Sequence, residues 1–199
     1  KDQQSRLARP RLMIFQKRND MATKDLKVIT GKVRFAFCKN VLTPDQKGIY
    51  SIMILIDKKD KETLAKINST VEKFKTDPAA VASWGGKFMS SFKTPLRDGD
   101  TERDTEKSPE YKGHYFINAN TYNKPGVVDP SMNDIINKSE LYSGCYGRVS
   151  LMPSAYNVDG NKGIKFYLNN VQKLAEGEAL SGVSNADDDF TAVENDFLN

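Results

Sequence analysis

The sequence predicts a mainly β protein with a minor α component, in which five strands close into a small barrel that carries a helical insertion and an acidic, disordered tail. Three observations carry that expectation: segments of apolar–polar alternation, a hairpin signal at Asp159-Gly160, and one stretch of helical periodicity. A chain of 199 residues can bury roughly 70% of the surface its unfolded form exposes. It therefore needs neither disulfides nor a structural metal to hold it together. Its two cysteines, Cys38 and Cys145, lie far apart, there is no Cys-x-x-Cys, and His114 is the single histidine. These counts exclude zinc fingers, zinc deaminases and disulfide-stapled scaffolds, and they weigh against histidine-dependent nucleophilic catalysis. The longest apolar run, Ile52 to Ile56, has five residues, against the ~20 a membrane-spanning helix needs. No membrane partner is expected.

Val33 to Phe37 alternates as a strand, with Val33, Phe35 and Phe37 expected to face the core and Lys32, Arg34 and Ala36 to face out. Thr43 to Gly48 is turn chemistry. Ile49 to Ile56 is β-branched and apolar on both faces, which predicts a strand covered on both sides. A helix then begins near Asp57–Asp60, because Leu64, Ile67, Val71 and Phe74 form one apolar stripe among Lys and Glu. Pro78 ends it or opens a short second helix carrying Val81 and Trp84, which Gly85-Gly86 stops. Residues 95–112 hold almost nothing apolar and predict a long exposed loop. His114 to Tyr122 alternates again, with Tyr115, Ile117 and Ala119 on one face and Phe116, Asn118, Asn120 and Tyr122 on the other. Tyr146–Tyr156 and Lys162–Lys173 flank Asn157 to Asn161 as a hairpin, since Asp-Gly takes the positive φ that a tight turn requires. On its strands Val149, Leu151, Ile164, Phe166 and Leu168 should face in, and Tyr146, Arg148, Ser150, Lys165, Tyr167 and Asn169 should face out. Five strands with a helical excursion best match an oligonucleotide/oligosaccharide-binding (OB) barrel.

Charge divides the chain into three parts. Residues 1–20 carry six basic and two acidic side chains and read as a leader outside the fold, the alternative being a basic arm that binds nucleic acid. Residues 21–184 form the domain, with 24 basic and 19 acidic residues. Residues 185–199 contain Asp187, Asp188, Asp189, Glu194 and Asp196 beside Phe197 and no Lys or Arg. A segment of that composition cannot offset its ordering entropy by burial, so it is expected to be disordered.

The outward positions place cations beside aromatic rings: Arg34, Tyr146, Arg148, Lys162, Lys165 and Tyr167. The stretch Trp84, Lys87, Phe88 and Lys93 repeats the theme, as do Tyr111 and Lys112. Single-stranded nucleic acid calls for this mixture, because cations neutralise phosphates while rings stack on unpaired bases. Each residue has a plainer reading: a strand tyrosine packs, Trp84 sits in a core, and Phe88 with Phe92 forms a helix face. The tail would mimic nucleic-acid phosphates, occupy the basic groove and dock partner proteins once displaced. Fifteen flexible residues span roughly 20 Å, enough to reach the groove. Enzyme signals are weak. Gly85-Gly86-Lys87 lacks P-loop spacing, and Asp159-Gly160-Asn161 lacks the calcium-loop pattern. Asp98, Asp100, Glu102, Asp104 and Glu106 alternate with Arg and Lys as a solvated segment does.

Ser143-Gly144-Cys145-Tyr146-Gly147-Arg148-Val149, Ala155-Tyr156-Asn157, Gly160-Asn161-Lys162-Gly163-Ile164, Leu168-Asn169-Asn170-Val171-Gln172-Lys173 and Gly177-Glu178 together resemble a tailed-phage family of single-stranded DNA-binding proteins, formerly a domain of unknown function. The resemblance runs from about Val28 to Gly182 and is densest over residues 141–182. It implies an OB barrel, an acidic C-terminal tail and a place in phage replication, recombination or repair. Tyr146 and Arg148 match motif positions, and Gly147 is unusual for a strand. The expectation is a non-enzymatic, sequence-tolerant single-stranded DNA binder without cofactor or metal, in the bacterial host cytoplasm. Its partners would be single-stranded DNA, replication or recombination proteins met by the tail, and a second copy of the chain if it dimerises. The rival readings are a structural virion component and a metal-dependent nuclease.

Overall fold

The computed structural model describes residues 26–180; residues 1–20, expected to be a leader, and the acidic residues 185–199, expected to be a disordered tail, lie outside the described residues. Eight strands form one sheet: β1 (Val28–Ile29), β2 (Val33–Ala36), β3 (Tyr50–Asp57), β4 (Arg97–Asp98), β5 (His114–Thr121), β6 (Gly126–Val128), β7 (Tyr146–Val158) and β8 (Asn161–Ala175). Pairing runs from β7 to β2, β3, β5, β8 and back to β7, so five of them close a ring. In chain order the ring reads first, second, third, fifth, fourth, first, and its one parallel seam is β5–β8. This closed five-stranded barrel is consistent with the expected OB fold. Short strands β1, β6 and β4 flank it on β7, β8 and β5.

Alternation decides which side chains fill the barrel. Phe35, Ile52, Ile54, Ile56, Ile117, Ala119, Val149, Leu151, Ile164, Phe166 and Leu168 point inward and are all buried. Helix α1 (Lys61–Phe74) lays Leu64, Ile67, Val71 and Phe74 on this core, as its periodicity predicts. Each such side chain contributes about 1.5–3 kcal/mol relative to exposure, before entropy is counted. The Asp60 carboxylate caps the helix by accepting from the Thr63 N–H at 3.0 Å. Helix α2 (Pro78–Trp84) is capped in the same way by Asp77, and Trp84 closes the barrel end against Phe74, ring centroids 6.2 Å apart.

The β7–β8 hairpin turns on two residues, Asp159 at φ 49° and Gly160 at φ 80°. Positive φ at both positions gives a turn whose twist matches the strands it joins. The strands therefore run on to Val158 and from Asn161, closer to the turn than the sequence expectation placed them. Gly147 has a packing reason: a Cβ there would lie 2.2 Å from Phe35 Cζ and 2.3 Å from the Gln172 carbonyl oxygen. A β-bulge sits at this point of the ladder.

Three expectations fail here. Phe37 does not face the core. Strand β2 ends at Ala36, and Phe37 turns to φ 47° with 62% of its surface exposed. Residues 95–112 are not an open loop. They carry β4, helix α3 (Gly99–Glu102) and a 3-10 turn (Pro109–Tyr111). The segment folds because its charges pair with one another and with Lys58, and Tyr111 anchors it in a second small core with Ala36, Met53, Leu55 and Phe116. Ala36, expected to face solvent, is buried beneath it.

Gly147→Ala should lower unfolding free energy by about 1–3 kcal/mol through overpacking against Phe35, read as a fall in the thermal midpoint with the circular dichroism of the native state retained. An unchanged midpoint would refute the close-approach reading.

Candidate nucleic-acid interface

Outside the barrel, one strip of sheet is not covered by the 97–111 segment. Ser51 pairs with Asn120, Asn120 with Tyr167, and Tyr167 with Met152, making a row across β3, β5, β8 and β7. Beside it lie Asn118, opposite Met53, and Lys165, opposite Ser154. Tyr167 is 37% exposed, and the Lys165 ammonium sits 4.6 Å from its ring centroid. A groove of about 640 Å³ continues from Tyr167 past Tyr122, Asn123, Asn169 and Met152 to the Asp77 end of α2. Tyr122 is 72% exposed. The strip thus offers two accessible phenol rings, neutral amides that donate and accept, and a cation. It contains no carboxylate until Asp77.

The other predicted residues fall elsewhere. Tyr146 lies beneath Lys32 at 4.7 Å and Arg34 at 5.8 Å, a cation–ring cluster on the β2–β7 pair. The Arg34 guanidinium is already engaged there: Nε donates to the Gly144 carbonyl at 3.3 Å and Nη2 to the Glu178 carbonyl at 2.8 Å. It ties the outgoing chain to the barrel. Arg148 donates to Gln172 Oε1 at 2.6 Å across the hairpin. Lys162 donates to the Trp84 carbonyl at 2.6 Å, holding the hairpin to α2. Lys87, Lys93 and Lys112 are exposed. Phe88 is half-buried, edge-on to Trp84 at 5.1 Å and to Phe92 at 5.3 Å.

Two predicted stacking rings are corrected. Trp84 is 1% exposed, and its indole N–H donates to the Gly163 carbonyl at 3.1 Å. Tyr111 is 4% exposed, packs edge-on to Phe116 at 5.3 Å and directs its hydroxyl at the Met53 sulfur. Neither ring has a free face, because each is the largest apolar group its segment has to anchor it. Asp187, Asp188, Asp189, Glu194, Asp196 and Phe197 lie outside the described residues.

Four of the five carboxylates between 98 and 106 are engaged by cations, Glu106 being the exception. Asp98 and Asp100 both accept from Lys58, at 2.5 and 2.8 Å, which holds the Asp100 carboxyl below its ordinary range. Glu102 pairs with Arg97 and Asp104 with Lys107. No group of three metal-ligating side chains occurs among the described residues.

A family model described as the Enterobacter phage Enc34 single-stranded DNA-binding protein matches residues 26–198. The chain belongs to that family. Its barrel is similar to the single-stranded DNA-binding protein of bacteriophage Enc34, at 21% identity and a TM-score of 0.67, over 83% of this chain and 90% of that one. The Enc34 protein in complex with single-stranded DNA superposes with a TM-score of 0.66 at 23% identity, covering 79% and 91% of the two chains. The bacteriophage T7 single-stranded DNA-binding protein gp2.5 shares the fold at 15% identity and a TM-score of 0.57, over 85% and 96%. No curated protein matches the chain. The Enc34 family is one of binding proteins rather than enzymes.

The structure brings Lys165 and Tyr167 onto the strip and adds Asn118, Asn120, Tyr122 and Ser51, which the sequence reading passed over as site residues. Alternation had already put Asn118, Asn120 and Tyr122 on one strand face. What was missing was the parallel β5–β8 seam that sets Tyr167 beside them.

Trp84→Phe should lower stability by about 1–3 kcal/mol, through the lost indole donor and the reduced packing. Oligonucleotide affinity should stay within about twofold. A large affinity loss at unchanged stability would return Trp84 to the binding surface.

Proposed function

We propose that this protein binds single-stranded DNA without sequence preference on the outer strip of β3, β5, β8 and β7, and serves phage DNA replication, recombination or repair in the host cytoplasm. The observation that carries this reading is Tyr167, an exposed ring under the Lys165 ammonium and beside Asn120, on the barrel of a single-stranded DNA-binding family. Every base has a π-face, so a tyrosine platform stacks on any of them, at roughly 1–3 kcal/mol per base. Lys165, Lys124 and the exposed Lys87 and Lys93 supply the phosphate-neutralising charge. The neutral amides of Asn118 and Asn120 add hydrogen bonds without repelling the backbone. The Enc34 protein whose fold the chain shares has been captured with single-stranded DNA.

The acidic segment acts on this surface as a tethered competitor. Its five carboxylates stand in for phosphates, and a tether of this length gives an effective concentration near the millimolar range. Leu180, the last described residue, donates its N–H to the Ser143 carbonyl and lines a cleft with Lys39 and Lys138, so the described chain ends beside cationic surface. Once DNA displaces it, its aromatic end is free to meet replication or recombination proteins.

Gel shifts at two salt concentrations should show preference for single over double strands, with a log–log slope near −0.7 for each phosphate contact. Binding that ignores salt would remove the electrostatic part of this reading. Tyr167→Ala should weaken single-strand binding by about 1–3 kcal/mol while the thermal midpoint stays put; intact affinity would move the platform elsewhere. Removing residues 185–199 should tighten binding, and unchanged or looser binding would rule out competition by the tail.

A further inference from the structure

Phe37 combines two features that folding does not ask for. It is 62% exposed while its neighbours Ala36 and Cys38 are 2% and 1% exposed. Its φ of 47° puts a bulky side chain in the left-handed region, where Gly or Asn is at ease. Such a conformation persists only where the surroundings over-determine it. They do so here. Cys38 is sealed beneath the loop, the Val41 N–H donates to the Cys38 carbonyl at 3.0 Å, and the Ser51 N–H donates to the Asn40 carbonyl at 3.2 Å. The ring is thus held out of the core by a well-fastened loop between β2 and β3.

The ring stands at a cleft of about 840 Å³. Lys39 and Lys138 line it against the single carboxylate of Glu110, and Tyr142, Ser51 and Leu180 form part of its walls. Ser51 is also the first member of the Ser51–Asn120–Tyr167 row. The cleft is therefore continuous with the proposed DNA strip, at its β2–β3 end. An exposed ring, a net positive rim and an amphipathic wall suit a nucleobase with its phosphate better than an apolar peptide, which would leave both lysines unpaired.

We infer that the Phe37 cleft is a second nucleotide subsite, in which Phe37 stacks on a base while Lys39 and Lys138 take the adjoining phosphate. The inference rests on the single-stranded DNA reading and extends the bound strand from Tyr167 to the loop between β2 and β3. The test uses the full chain and a labelled oligothymidylate. Phe37→Gly relaxes the backbone while deleting the ring. It should keep or raise the thermal midpoint yet increase the dissociation constant about 5- to 100-fold. Phe37→Asn, which tolerates the same φ, checks this if the glycine variant folds poorly. Phe37→Trp should bind within about twofold of the native chain and lose fluorescence on adding the oligonucleotide; the native Trp84 is buried and contributes a steady background.

Equal binding by Phe37→Gly and the native chain overturns this subsite and leaves the Tyr167 strip standing. A native chain that binds no oligonucleotide removes both. If the introduced indole ignores the oligonucleotide but responds to removal of residues 181–199, the cleft is the seat of the chain's own C-terminal segment, and the subsite is overturned.

Discussion

The register of the β7–β8 hairpin is the constraint on which the rest depends. Asp159 and Gly160 fix it, because a two-residue turn with both φ values positive allows one alignment of the strands it joins. That alignment turns Ile164, Phe166 and Leu168 inward and Lys165 and Tyr167 outward. A slip of one residue would exchange the two sets, sinking a lysine into the barrel and exposing Phe166. The cost of burying an unpaired ammonium makes that exchange prohibitive. The same strand then runs parallel to β5 and closes the ring, so one turn determines both the core and the composition of the outer strip.

The 97–111 segment sets the extent of that strip. Most of its side chains are charged, and it stays folded through Lys58 between Asp98 and Asp100, Arg97 with Glu102, and Arg103 over the Tyr111 and Phe116 rings at 5.3 and 5.0 Å. Exposed ion pairs contribute little singly; the apolar contact of Tyr111 with Met53, Leu55 and Phe116 is the stronger bond to the barrel. By covering the outer side of Leu55 and Phe116 it leaves Ser51, Asn118 and Asn120 as the accessible part of β3 and β5. The binding surface is therefore narrower than the sheet.

Cations here do two kinds of work. Arg34, Arg148 and Lys162 donate to carbonyls and an amide within the fold, holding the outgoing chain, the hairpin and α2 in place. Lys165, Lys87 and Lys93 have no such engagement through their side chains among the described residues. A basic residue next to an aromatic one in sequence does not distinguish the two roles, since both arrangements put a cation beside a ring. Hydrogen-bond geometry does, because a guanidinium satisfied by two carbonyls has fewer donors left for a phosphate.

Period-two and helical patterning in the sequence were enough to determine the barrel strands, the inward set from Val149 to Leu168, the α1 stripe and the hairpin turn, because each follows from contacts local in the chain. The fate of the outer face was decided only in three dimensions. Whether Trp84 and Tyr111 are platforms or anchors depends on which distant segment covers them. Phe37 continues an apolar alternation and reads as core, yet the strand ends one residue early under the pull of the buried Cys38 loop, and the ring is left in solvent. Asn118, Asn120 and Tyr167 become neighbours through a parallel seam between strands more than forty residues apart, a pairing that no local pattern encodes.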